Sequence, residues 1–82
     1  MKKYIVYGLS SCSYCTRVIN TLIDKKKTFY VELLDGNPER LKLLKIMYNH
    51  PTVPIVVLKE QKETLIGGCD DTMRYLKKEG EQ

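Results

Sequence analysis

The sequence predicts an α/β domain with four strands and three helices in the order βαβαββα, arranged around a mixed sheet. Three observations carry this. Short runs of β-branched and aromatic residues alternate with segments whose apolar residues recur every three or four positions. A strand–helix–strand unit opens the chain, and such a unit gives two parallel strands joined by a right-handed crossover. A hairpin pattern and one last helix close it, adding antiparallel strands. The 82 residues read as a single domain, 1–82, without linker or repeat. A chain this short buries a limited core, so close packing is expected.

Each element has its own signal. Tyr4-Ile5-Val6-Tyr7 reads as a strand buried on both faces, and Gly8-Leu9-Ser10-Ser11 as a loop. Cys15, Val18, Ile19, Leu22 and Ile23 then recur at helical spacing, with Ser10 or Ser11 as the expected cap. That helix is expected to fray at Lys25–Lys27, where cations favour a C-terminus. Phe29–Leu33 reads as the second strand. Asn37 should cap the next helix, with Pro38 its first residue and Leu41, Leu44 and Tyr48 its apolar stripe. Pro51 ends it, because the residue before a proline resists helical angles. Ile55–Leu58 and Thr64–Ile66 form a hairpin across the polar turn Lys59–Glu63. After Gly67-Gly68, Asp70 or Asp71 is expected to cap the last helix. Met73, Leu76 and Tyr75 should face inward, and Gly80 should end it.

Composition narrows the function classes. The net charge is +4, from 14 basic and 10 acidic residues, which suits a soluble protein with a mild attraction for anions. The basic residues are scattered apart from Lys25–Lys27 and lack aromatic partners, which argues against nucleic acid. No stretch approaches the ~20 apolar residues needed to cross a membrane. Gly8 breaks the short apolar run after Met1-Lys2-Lys3, so no signal peptide is read there. Three cysteines, two of them spaced C-x-x-C, do not make a secreted disulfide framework. A monomer in a reducing cytosol is the expectation.

The cysteine pair carries the chemistry. Cys12 and Cys15 lie three apart at a helix start, which brings both sulfurs to one face within bonding reach. Unpaired N–H groups and the dipole at a helix N-terminus favour negative charge, and the thiolate is the nucleophile. Cys15, one turn in and on the apolar stripe, should be more buried and attack second. C-x-x-C between a strand and a helix in a βαβ unit reads as redox chemistry. The competing reading is a zinc site from Cys12, Cys15, His50 and Cys69, but an apolar helix follows the pair instead of the glycine-rich turns of a knuckle.

Three segments make the chain specific: Cys12-Ser13-Tyr14-Cys15, Thr52-Val53-Pro54 and Gly67-Gly68-Cys69-Asp70-Asp71. In this order and spacing they resemble the signature segments of glutaredoxins, from about Tyr4 to Leu76. The resemblance implies a thioredoxin-like fold, with helices on both faces of a four-stranded mixed sheet. It also implies a cis bond before Pro54, where the residues alone allow a trans strand-entry proline. Cys12 and Cys15 become the catalytic pair. The backbone of Val53, flanked by Thr52 and Pro54, would pair with the cysteinyl unit of glutathione like an added strand rung. Asp70 and Asp71 would receive the γ-glutamyl end on backbone N–H groups, or else simply cap the helix. Gly67 and Gly68 permit close backbone approach. Tyr14 would flank the reactive sulfur, or else be an ordinary surface tyrosine. Cys69 joins this site, as a packed small side chain or as a thiol open to oxidation.

The implied activity is reduction of protein disulfides and glutathione mixed disulfides with electrons from glutathione. Ribonucleotide reductase is one implied protein partner, and no resident metal is expected. Three departures from the family pattern stand out. Leu9 occupies a position where many members have a lysine. The arginine or glutamine that often meets the glycyl carboxylate has only His50, Lys45 and Lys42 as candidates. Ser13 replaces a common proline. Two rival readings therefore remain open: a glutaredoxin-like protein reduced by thioredoxin reductase, and a carrier holding a [2Fe–2S] cluster between two chains with two glutathiones.

Overall fold

The sheet is laid around one strand, β1 (Lys3–Gly8), in a computed structural model that describes residues 2–80. In chain order α1 (Ser13–Asp24), β2 (Phe29–Leu33), α2 (Pro38–Met47), β3 (Ile55–Lys59), β4 (Glu63–Gly67) and α3 (Cys69–Gly80) follow. The strand order is β2-β1-β3-β4. β2 runs parallel to β1 with Val6 opposite Val31, while β3 is antiparallel to β1 and β4 to β3. The expected βαβαββα order and mixed sheet are both found.

Burial of β1 on both faces follows from its alternation. Tyr4 and Val6, with Val56 and Leu58 of β3, pack against Val18, Leu22 and Leu76 of α1 and α3. Ile5 and Tyr7, with Ile55 and Val57, pack against Leu34 and Leu44 on the α2 side. Each central strand thus feeds two thin cores, which is why its sequence reads as a continuous apolar run. Met73 and Tyr75 are partly buried and Leu76 fully, as expected. Ile23 departs from its predicted stripe: it is exposed, to one side of the buried line Cys15, Val18, Leu22.

The helix ends differ from expectation in three places. Neither Ser10 nor Ser11 caps α1; Cys12 does, and Ser10 instead donates from its N–H and Oγ to Asp35 at 2.9 and 2.8 Å. Those two bonds hold the Asp35 carboxyl below the usual carboxylate range. Lys25–Lys27 closes the helix end with backbone bonds of its own. Lys26 takes a left-handed φ of 56°, and Lys26 and Lys27 donate their N–H groups back to Ile23 and Leu22, closing the helix in a Schellman motif. Asp70 and Asp71 lie inside the first turn of α3, and the preceding Gly68 accepts the first intrahelical bond, from the Thr72 N–H at 3.0 Å. The Thr72 hydroxyl, fully buried, donates to the same carbonyl at 2.7 Å.

The far end of α3 is fastened by charge. Glu79 accepts from Lys2 at 2.6 Å, from Lys27 at 2.7 Å and from the Tyr4 hydroxyl at 3.0 Å. These contacts tie the last helix to β1 and to the α1–β2 turn. The bond from Lys2, then that from Lys27, draws the Glu79 carboxyl down to about 2. A folded-state value below the unfolded one contributes stability above about pH 4.5, which is lost as pH falls toward 2. Glu79→Gln should therefore lower the unfolding free energy at pH 7 by about 1–2 kcal/mol, a figure discounted because Lys2 is half exposed. In urea titrations the gap to wild type should close between about pH 5 and pH 2. A gap that stays constant over that range would disprove the ionic origin.

Candidate functional site

Two elements meet at the C-terminal end of β1 to place the cysteines. β1 runs one residue further than its apolar run suggests and ends at Gly8. A side chain there has no room, because an added Cβ would lie 2.6 Å from Cys15 Sγ. Gly8 is thus the close approach that lets the second sulfur sit under the strand end. The sequence offered only a loop glycine, with no sign of the sulfur it must accommodate.

Cys12 is the N-cap of α1, with φ −86° and ψ 111°, and its sulfur accepts the Cys15 N–H at 3.2 Å. A helix start normally recruits serine, threonine or an acid for that bond. Here the cap atom is the sulfur itself, half-buried and beside the Val53 carbonyl at 4.0 Å. Cys15 is 1% exposed. Burial first, then a hydrogen bond with Cys12, pushes its thiol well above the ordinary range. One sulfur can be reached and the other is kept protonated, with both free. The arrangement can carry out nucleophilic attack at Cys12 and a delayed second attack from Cys15.

Beside Cys12 opens a cleft of about 460 Å³. Tyr14, 58% exposed, stands on one wall. Thr52, Val53 and Pro54 form the floor, and the Val53–Pro54 bond is cis, as the resemblance implies. Gly68, Cys69, Asp70 and Asp71 form the opposite wall at the start of α3. The N–H groups of Cys69, Asp70 and Asp71 precede the first intrahelical bond, so they have no helical partner. The Asp71 carboxylate turns back to Arg74 and lies where Gly67, at φ 130°, leaves space for it. Cys69 is buried, packs into the α1–α3 core and has its thiol pushed up by burial. Of the nine residues expected around the cysteines, all but Gly67 line this one cleft.

His50 lines it as well. Its position follows from the end of α2, a second Schellman motif with Asn49 at φ 51° and the His50 N–H on the Lys45 carbonyl at 2.9 Å. The ring Nδ1 lies 2.8 Å from the Thr52 carbonyl and so must carry a proton, which leaves Nε2 on the side facing Gly68. Lys42 and Lys45 stand outside the cleft. Leu9 packs partly against the α2-side core. Among the described residues, no three His, Cys, Asp or Glu side chains are grouped to hold a metal ion, so the four zinc candidates do not converge.

Comparison with known proteins gives a consistent result. The family model described as Glutaredoxin matches residues 4–62. Glutaredoxin 1 of Rickettsia prowazekii is 37% identical over 79 residues, covering 93% of this chain and 78% of that protein. A glutaredoxin of Pseudomonas aeruginosa is 34% identical over 71 residues, covering 87% and 81%. Among solved structures, wheat glutaredoxin superposes with a TM-score of 0.80 at 28% identity, covering 90% of this chain and 71% of that one. A dithiolic glutaredoxin from Trypanosoma brucei brucei superposes at 0.74 with 32% identity, covering 96% and 80%.

The contact at Gly8 supplies a test of the sulfur's position. Gly8→Ala should lower the unfolding free energy by about 1–3 kcal/mol, the usual range for overpacking a tight core. The measurement is a urea midpoint at unchanged m-value. A variant as stable as wild type would mean that Cys15 does not lie against the strand end.

Proposed function

The chain belongs to the glutaredoxin family, and from that premise we propose that it is a glutathione-dependent reductase of protein disulfides and glutathione mixed disulfides. The observation that carries this reading is the contrast between the sulfurs. Cys12 is reachable and receives an N–H, whereas Cys15 is buried and held as a thiol.

The steps follow from that contrast. The Cys12 thiolate attacks a substrate sulfur, a mixed disulfide forms, and the expelled thiolate takes a proton from water. Cys12 then carries no charge, so its contribution to raising the Cys15 thiol disappears. Cys15 attacks Cys12 Sγ as its proton passes to the departing substrate thiolate, which releases the reduced substrate and leaves a Cys12–Cys15 disulfide. One glutathione thiolate opens that bond at Cys12, and a second attacks the bound glutathione sulfur. Oxidised glutathione leaves and the dithiol returns.

The cleft supports the glutathione part. Val53 offers an extended backbone beside Cys12, and Pro54 and Thr52 shape that edge. The unpartnered N–H groups of Cys69, Asp70 and Asp71 suit the γ-glutamyl carboxylate. Gly68 lets the ligand's backbone come close, and Tyr14 stands on the facing wall. The reading assigns the chemistry to a reducing cytosol, with disulfide-bearing proteins, ribonucleotide reductase among them, as partners.

Cys12→Ser should abolish turnover in an assay coupled to glutathione and its reductase. Cys15→Ser should still reduce a small glutathione mixed disulfide but lose at least about tenfold on protein disulfides, because the second attack is gone. Activity retained by Cys12→Ser would refute the nucleophile. Turnover with thioredoxin reductase and none with glutathione would overturn the glutathione assignment.

A further inference from the structure

The second helix has a face that its role in the fold does not explain. Leu44 is buried in the α2-side core and Leu41 partly so. On the opposite side Leu43, Ile46 and Met47 are 62%, 66% and 68% exposed. Their i, i+3, i+4 spacing makes them one continuous stripe. Isolated apolar residues on a surface are ordinary, but three large ones in contact form a patch that favours association. Along the flank of this stripe runs an open groove of about 450 Å³, formed by Lys42, Lys45, Ile46, Asn49, His50 and Pro51. His50 lines both the groove and the cleft, so the two lie side by side.

We propose that this groove docks an acidic segment with apolar side chains, carried by the protein whose disulfide Cys12 reduces. The proposal rests on the function read above. Lys42 and Lys45 have no carboxylate partner among the described residues and sit at the groove wall, where they complement acidic side chains. Arg40, further up α2, is occupied by Glu32. The stripe offers apolar anchors, and with His50 as their common border an extended segment in the groove would bring its next residues to the cleft beside Cys12. A second copy of the chain is the competing occupant, and the oligomeric state of wild type and triple variant separates the two. Glutathione is excluded by place: Leu43, Ile46 and Met47 line no part of the cleft.

Two labelled peptides sharing one disulfide test this, one with a flanking arm of Glu and Leu, the other with Lys and Ser in their stead. The wild type should reduce the acidic–apolar peptide with a kcat/KM about tenfold higher, the advantage lying in KM and shrinking at high salt. Leu43→Ser/Ile46→Ser/Met47→Ser should narrow the ratio to below about twofold while reducing the mixed disulfide of glutathione and 2-mercaptoethanol at the wild-type rate. Lys42→Glu/Lys45→Glu should favour the basic arm instead. Equal rates on both arms in wild type, or an unchanged ratio in both variants, would overturn the proposal. So would a wild-type dimer in sedimentation that the triple variant splits without altering the ratio, which would assign the face to a second copy. Fluorescence anisotropy of the peptides reads docking without turnover. Failure to reduce the small mixed disulfide therefore counts against the function, and equal binding of the two arms against the docking site.

Discussion

The site hangs on one hydrogen bond, from the Cys15 N–H to the Cys12 sulfur. It starts α1, and it makes the reacting atom a structural atom. Serine or aspartate in that place would close the helix equally well and do no chemistry. Because the cap is a sulfur, the first turn must leave it at the surface. Cys15, three residues on, is then carried beneath the end of β1, where only glycine fits at position 8. The different environments of the two thiols are consequences of where a helix begins.

That logic also shows what the sequence could convey. The order of elements, the doubly buried strand, the Asn37-Pro38 helix start and the polar hairpin turn all come from local pattern, and each is found. The three motif segments lie far apart in the chain, yet their residues line one cleft. The misplacements share a physical cause: local signals were present in excess. Ser10 and Ser11 look like caps, but Asp35, distant in sequence, takes Ser10. Asp70 and Asp71 look like caps, but the helix starts at Cys69 and uses them in its first turn.

Other features needed the folded chain to show what they do. A left-handed Lys26 violates residue preference and is held by two backbone bonds that only the folded turn supplies. The tight fit at Gly8 depends on a partner seven residues away. His50 is a lone histidine in the sequence; in the fold a helix end and the Thr52 carbonyl aim it at the cleft. The outward stripe of α2 was hidden because its apolar residues blend with the inward ones, so no clear amphipathic pattern marks that helix.

The two ends of α3 have separate duties. Its first turn is a wall of the cleft, and its last turn holds Glu79 among Lys2, Lys27 and Tyr4. Between Cys69 and Glu79 the helix rises about 15 Å, with Leu76 and Thr72 buried along it. A stiff rod held at both ends transmits restraint along its length, so the Glu79 contacts steady an element whose other end lines the cleft.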